Sequence, residues 1–378
     1  MENRLPQIKM NDMEKIAPKG IVTHLIDPSY RENMELKKYE TEQFCDEPFA
    51  QFTDMEMIYY FLHQERDIKE EKNRREKTKK EYASTLVSFY KQLHTYEETL
   101  KNDVPDYQEG SILKNIRPRH VKEYQKWLST APLGRNGQPY KITTIAKKTI
   151  ILKSFLQFLH KSGYCTHRLQ DALLSASIRR DDLPNRDLSY NETQQIIDHY
   201  KEHPINYTLL LLLATTGMRV QELATAKWKD LKYENGEYWL HIIGKGRKER
   251  DIYLFGYVFE ALCTFRKIRG LSTTLSAQDE SPLVTTYTNK AYNYTYLSHY
   301  VSKLVRRTNL SFLQYHDTNV TAHTFRHFYA IHSLEKGADL FRVQQTLGHE
   351  SSKTTEIYVD RYLKKKNNAS LLWKQDEF

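Results

Sequence analysis

Residues 238–254 read Tyr238-Trp239-Leu240-His241-Ile242-Ile243-Gly244-Lys245-Gly246-Arg247-Lys248-Glu249-Arg250-Asp251-Ile252-Tyr253-Leu254. Period two runs through Trp239 to Ile243 and again through Asp251 to Leu254, around the basic turn Gly244 to Lys248. Alternation on both sides of a turn predicts a β-hairpin, because successive side chains of a strand point to opposite faces. The flanking sequence has helical spacing instead. Upstream, Ser189-Tyr190-Asn191-Glu192 is a capping box that starts a helix, and the apolar run Thr208 to Ala214 predicts a helix buried in a core. Helical spacing returns from Leu297. Residues 188–360 are therefore expected to form an α+β domain, mainly helical with a small sheet.

Before it lies Arg179-Arg180-Asp181-Asp182-Leu183-Pro184-Asn185-Arg186, polar and containing a proline that ends any preceding helix; 179–187 is the expected linker. Residues 51–178 read as all-helical. Thr53-Asp54-Met55-Glu56 repeats the capping pattern, and apolar positions recur at helical steps through Tyr82, Leu86, Phe89, Leu93 and Tyr96. Ile145, Thr149, Leu152, Leu156 and Leu159 do the same, with a shorter stripe, Val121, Tyr124 and Leu128, after Pro118. The mixed-sign run Glu65 to Glu81 reads as a solvated helix face. Residues 1–50 are a polar extension of unassigned role, in which Gly20 to Ile26 reads as a short strand. Residues 361–378 form a tail whose polar hinge leads to Leu371-Leu372-Trp373.

At 378 residues the chain is long for one core, and with 13 Gly and 11 Pro it leaves little room for low-complexity linkers. A formal charge of +9 raises the local concentration of polyanions, so nucleic acid is the first partner to consider. Cys45, Cys165 and Cys263 are too scattered for a zinc or redox motif and suit a reducing cytoplasm. No segment approaches the roughly 18 apolar residues of a membrane span, and the polar start lacks a signal-peptide core.

Six residues of the second domain suit work on a phosphate: Arg219 in Thr216-Gly217-Met218-Arg219, Lys245 in the hairpin turn, His323 and Arg326 in His323-Thr324-Phe325-Arg326-His327, His349 after Leu347-Gly348, and Tyr358 nine residues on. Singly, each has an ordinary explanation. Arg219 can cap a helix, Lys245 can be an exposed turn lysine, and His323 with Arg326 can merely share a helix face. In the first domain, Lys141, Thr143, Thr144, Lys147 and Lys148 gather hydroxyls and ammonium groups at a helix start, where orphan N–H groups also attract phosphate oxygens.

Together and in this order, Ala-Thr-Thr-Gly-Met-Arg-Val-Gln-Glu-Leu (214–223), Gly-Lys-Gly-Arg-Lys-Glu-Arg (244–250), His-Thr-Phe-Arg-His (323–327) and Leu-Gly-His-Glu-Ser-Ser-Lys-Thr-Thr-Glu-Ile-Tyr (347–358) resemble the tyrosine recombinases. The resemblance covers about half of the chain. It implies a mainly α, two-domain DNA clamp, with a helical core-binding domain of the SAM-like kind ahead of the α+β catalytic domain. Arg219 and Arg326 would then grip the scissile phosphate, His323 and His349 would assist at the nucleophile, Lys245 would protonate the leaving oxygen, and Tyr358 would attack. Glu222, one turn from Arg219, would hold the site together.

Tyr329 and Tyr362 are the competing tyrosines, and the interval from His349 favours Tyr358 over both. No metal, cofactor or ATP is implied. The implied partners are double-stranded DNA and further copies of the chain, up to a tetramer on DNA, with a directionality factor as a further candidate. The implied location is the cytoplasm, on the nucleoid. A type IB topoisomerase and a repressor on a recombinase fold with idle chemistry are the rival readings.

Overall fold

The computed structural model describes residues 18–179, 182, 187–244, 248–315 and 320–348. The chain divides into two compact units, Met1–Leu183 and Pro184–Phe378.

The first unit is helical: α1 Pro18–Ile26, α2 Arg31–Phe44, α3 Asp54–His63, α4 Glu76–Thr95, α5 Glu97–Asp103, α6 Pro118–Thr130 and α7 Ile142–Lys161. The capping box at Thr53 forms as expected, with Glu56 N–H donating to Thr53 Oγ1 at 3.3 Å and Thr53 N–H to Glu56 Oε2 at 2.8 Å. Leu86, Phe89 and Leu93 of α4 share one core with Tyr124 of α6 and Leu152 and Leu156 of α7. Two buried polar groups tie elements together. The Asp54 carboxylate accepts from Ser111 Oγ (2.6 Å), the Tyr164 hydroxyl (2.8 Å) and the Ile112 and Leu113 N–H groups (2.7 and 3.1 Å), which satisfies a charge that burial alone would make costly. His63 places Nε2 3.0 Å from the Leu25 carbonyl oxygen and Nδ1 3.0 Å from the Lys79 ammonium, so the ring is neutral, with the proton on Nε2. Burial, with Lys79 beside it, pulls this imidazole down to about 4.

Three expectations for this unit need correction. Gly20 to Ile26 lies in a helix, not a strand: Ile21, Val22 and Leu25 are the inward positions of α1, which packs on α3 and α4. The helical unit therefore begins by residue 18 rather than near 51, since Met34 of α2 joins the same core. Nor is Glu65 to Glu81 one solvated helix face. Only its end, from Glu76, is in α4, and Arg74 turns inward to donate to the Phe61 carbonyl, its guanidinium 4.3 Å from the Phe61 ring centroid.

The second unit contains α8 Tyr190–Asp198, α9 Pro204–Thr216, α10 Val220–Thr225, strands β1 Leu231–Glu234, β2 Glu237–Ile243 and β3 Glu249–Leu254, then α11 Gly256–Ile268, α12 Tyr294–Arg307, α13 Ala322–Glu335 and α14 Leu340–Leu347. Helix α9, the predicted buried helix, runs through the core and packs against α8, α11 and α13. The expected hairpin is present, and β1 extends it to a three-stranded antiparallel meander in the order β1-β2-β3. Ile242 pairs with Arg250 and Leu240 with Ile252, so Arg250 lies on the face that carries Leu240, Ile242, Ile252 and Leu254 into the core. Mainly helical architecture with one small sheet is thus the fold.

Candidate active site

The site is built where α9 ends. Gly217 closes α9 in the left-handed region (φ 61°), and a Cβ there would lie 2.6 Å from Tyr329 Cδ1. Only glycine fits both the backbone and the approach of α13. The turn delivers Arg219 to the N-cap of α10, where its N–H donates to Glu222 Oε2 (2.8 Å) and its Nη1 to Glu222 Oε1 (2.9 Å). Arg326, on α13 and buried to 1% exposure, donates from Nη1 to the Gly217 carbonyl at 2.7 Å and from Nη2 to the Leu347 carbonyl.

Sequence reasoning missed the third arginine. Arg250 projects from the inner face of β3 and donates from Nη2 to Glu222 Oε2 (2.7 Å) and from Nη1 to Oε1 (3.1 Å). Glu222 therefore takes charge-assisted bonds from two guanidiniums while its own side chain is only 4% exposed. Burial raises its carboxyl, but the bonds from Arg250 and Arg219 outweigh that and hold it below the usual range. The signal for Arg250 was in the alternation: it is in phase with Ile252 and Leu254, and an arginine at an inward strand position requires a buried anion.

The three arginines meet again at the end of α14. Successive carbonyls there accept from different elements: Thr346 from Arg250 Nε (2.8 Å), Leu347 from Arg326, and Gly348 from Arg219 Nη2 (3.4 Å). A helix C-terminus carries the negative end of the dipole and unpaired carbonyls, so cations are favoured there. Gly348 is left-handed (φ 64°), and its Cβ position lies 3.2 Å from Arg250 Nη1.

The structure thus places Arg219, Glu222 and Arg326 near one another, with Arg250 beside them. His323 stands in the first turn of α13, exposed and three residues ahead of Arg326, with its ring centroid 4.8 Å from that of His327. Lys245, His349, Tyr358 and the competing Tyr362 lie outside the described residues. Tyr329, the other competing tyrosine, packs against Gly217, and burial raises its phenol above the ordinary value. As an expected two-arginine grip, Arg219 is one-third exposed and Arg326 buried, both with carbonyl partners in this state.

In the first unit, Lys141 is the N-cap of α7 without a side-chain cap bond, and Thr143 and Thr144 are half-buried in its first turn. Lys147 pairs with Glu81 of α4. Lys148 sits 5.2 Å from the Tyr140 ring centroid, and burial lowers its ammonium. Among the described residues there is no cluster of His, Cys, Asp or Glu suited to a metal ion, and no helix long and apolar enough to cross a membrane.

The fold is thus a helical unit followed by a helical unit with one small sheet, and arginines from three elements converge on one helix end. One solved structure with this fold is the XerH site-specific recombinase bound to a palindromic difH substrate, with a TM-score of 0.58 and 18% identity, covering 95% of this chain and 98% of that one. Residues 186–365 match the phage integrase family. The chain is similar to the tyrosine recombinase XerC of Rickettsia canadensis, 26% identical over 302 residues (78% of this chain, 89% of that protein), and to XerC of Vibrio cholerae, 27% identical over 286 residues (73% and 88%). The chain thus carries a phage integrase family match over residues 186–365 and is similar to tyrosine recombinases over most of its length.

Proposed function

We propose that the protein cleaves and rejoins DNA at specific sites through a 3′-phosphotyrosyl intermediate, with Tyr358 as nucleophile. The observation that carries this reading is the convergence of Arg219 and Arg326 on the carbonyls of Leu347 and Gly348, immediately ahead of His349. Two guanidiniums held at one place suit the nonbridging oxygens of a phosphodiester, where negative charge builds during attack. In the cleavage step the Tyr358 oxygen forms a bond to phosphorus as the bond from phosphorus to O5′ breaks. The phenol proton passes to His323, with His349 on the phosphate, and Lys245 protonates the departing O5′. The phosphodiester's free energy is kept in the phosphotyrosine. A 5′ hydroxyl of a second strand then reverses the step, so ATP is not consumed.

With arginines neutralising the phosphate, no metal is required in this scheme. Double-stranded DNA is the proposed partner, supported by two structural neighbours, XerH bound to a palindromic difH substrate and a lambda integrase tetramer bound to a Holliday junction (TM-score 0.56); the latter also supports assembly of several copies. Lys141, Thr143, Thr144, Lys147 and Lys148 are proposed phosphate contacts, which Lys147 can make by exchanging Glu81 for DNA. The proposed place of action is the cytoplasm, on the nucleoid.

The test is a nicked duplex carrying the sequence that the protein selects from a random pool. Incubated with EDTA, the protein is expected to accumulate a denaturant-resistant protein–DNA adduct. Loss of the adduct on chelation contradicts the scheme.

A further inference from the structure

Gly244 N–H donates to the Lys248 carbonyl at 2.7 Å and so closes the turn that carries Lys245. Beneath this closure lies the Glu222–Arg250 pair: a Cβ on Gly244 would sit 3.1 Å from Glu222 Oε1 and 3.2 Å from Arg250 Nη1. The pair is buried, with side-chain exposures of 10% for Arg250 and 4% for Glu222. The same guanidinium donates from Nε to the Thr346 carbonyl at 2.8 Å. One side chain on β3 thus fastens the base of the lysine turn to α10 below it and to the end of α14 beside it.

We propose that Arg250 is a positioning residue: through its bonds to Glu222 and to the Thr346 carbonyl it fixes Gly244 and β3, the two ends from which the chain runs to Lys245, and so serves the protonation of the leaving oxygen. The inference rests on the cleavage scheme above. Its physical basis is that the two charge-assisted bonds of a buried arginine–carboxylate fork fix orientation as well as distance, and so hold the described end of the hairpin against α10. Lysine at position 250 would keep the charge but lose the fork that meets both carboxylate oxygens and the Thr346 carbonyl together.

The test separates leaving-group protonation from every other role. In a duplex whose scissile O5′ is replaced by sulfur, the leaving thiol has a pKa near about 8.5 and needs no acid. Adduct formation is timed on the oxygen and the sulfur duplex for the wild type, Lys245→Ala, Arg250→Met, Arg250→Lys and Gly244→Ala, with half-site binding and thermal melting measured alongside. Arg250→Met is expected to lose about 100-fold in rate on the oxygen duplex, the scale of a general acid's contribution. It should return to within several-fold of the wild type on sulfur, as Lys245→Ala does.

Gly244→Ala leaves the buried charges in place and should show the same rescue from a smaller loss; it serves if Arg250→Met fails to fold. An equal loss on both duplexes, or no loss on oxygen, overturns the role of Arg250. If Lys245→Ala itself is not rescued, the lysine is not the acid and this role falls with it. If the wild type forms no adduct on either duplex, the recombinase scheme fails first.

Discussion

Gly217 shows how a single residue sets this site. Its left-handed backbone ends α9, the missing Cβ admits the Tyr329 ring of α13, and its carbonyl accepts from Arg326, while Arg219 and Arg326 reach the neighbouring carbonyls of Gly348 and Leu347. Gly217→Ala adds left-handed strain of about 1–2 kcal/mol to an overpacking cost of about 1–3 kcal/mol. The melting temperature should fall by about 4–20 °C, at roughly 2–4 °C per kcal/mol for a unit of this size, and adduct formation should fall with it. A melt unchanged within 2 °C, by about the same conversion, would show that the turn is not constrained in this way. Arg219, Arg326 and Glu222 were legible because motif order gave them a joint meaning that none has singly. Arg250 was passed over although it stands in a quoted motif: a basic hairpin hides one inward arginine among its solvated ones, and only the phase with Ile252 and Leu254 separates it.

At the scale of elements, the local signals that satisfy backbone donors were the most readable. Both hydroxyl–glutamate boxes cap helices, at Thr53 and at Ser189, because each contains its complete pair of bonds within four residues. Strand β1 was equally legible and was missed. Asn235-Gly236, with φ of 53° and 85°, makes the two-residue turn between β1 and β2, and this dipeptide is among the strongest hairpin signals. Helix α1 was misread because nine residues give too few turns to tell period 3.6 from a continuous apolar run.

The tie between α1, α3 and α4 at His63 leads to a pH prediction. With the folded-state imidazole at about 4 and the ordinary value at 6.5, the unfolded chain takes up the proton first as pH falls. The stability from neutral His63 is intact above pH 6.5 and is lost progressively between 6.5 and about 4. Residual solvent contact limits the loss to on the order of 2 kcal/mol. Melting of the wild type compared with His63→Gln, which does not titrate, should show a steeper decline across that window in the wild type. Parallel curves would remove His63 from the explanation.

At the scale of the whole molecule, a net charge of +9 spread over two units predicts binding that weakens steeply with salt as condensed counterions are released. Lys147→Ala should lower the slope of log affinity against log salt by about 0.9, the share of one phosphate contact, while leaving sequence preference unchanged. Lys148→Ala should change it less, because that side chain is half-buried against Tyr140. An unaltered slope for Lys147→Ala makes its pair with Glu81 the residue's whole role. The tail from residue 361 lies outside the described residues, and its Leu371-Leu372-Trp373 cluster is proposed to dock on a neighbouring copy. Deleting 369–378 should leave half-site binding intact and abolish cooperative assembly and recombination; normal recombination by the truncated chain contradicts docking in trans. The most direct measurement of the central claim is the identity of the residue joined to DNA. Mass spectrometry of the digested adduct should find the 3′ phosphate on the peptide that contains Tyr358, and Tyr358→Phe should bind DNA as the wild type does yet form no adduct. A phosphate on any other residue, or an adduct formed by Tyr358→Phe, contradicts the account.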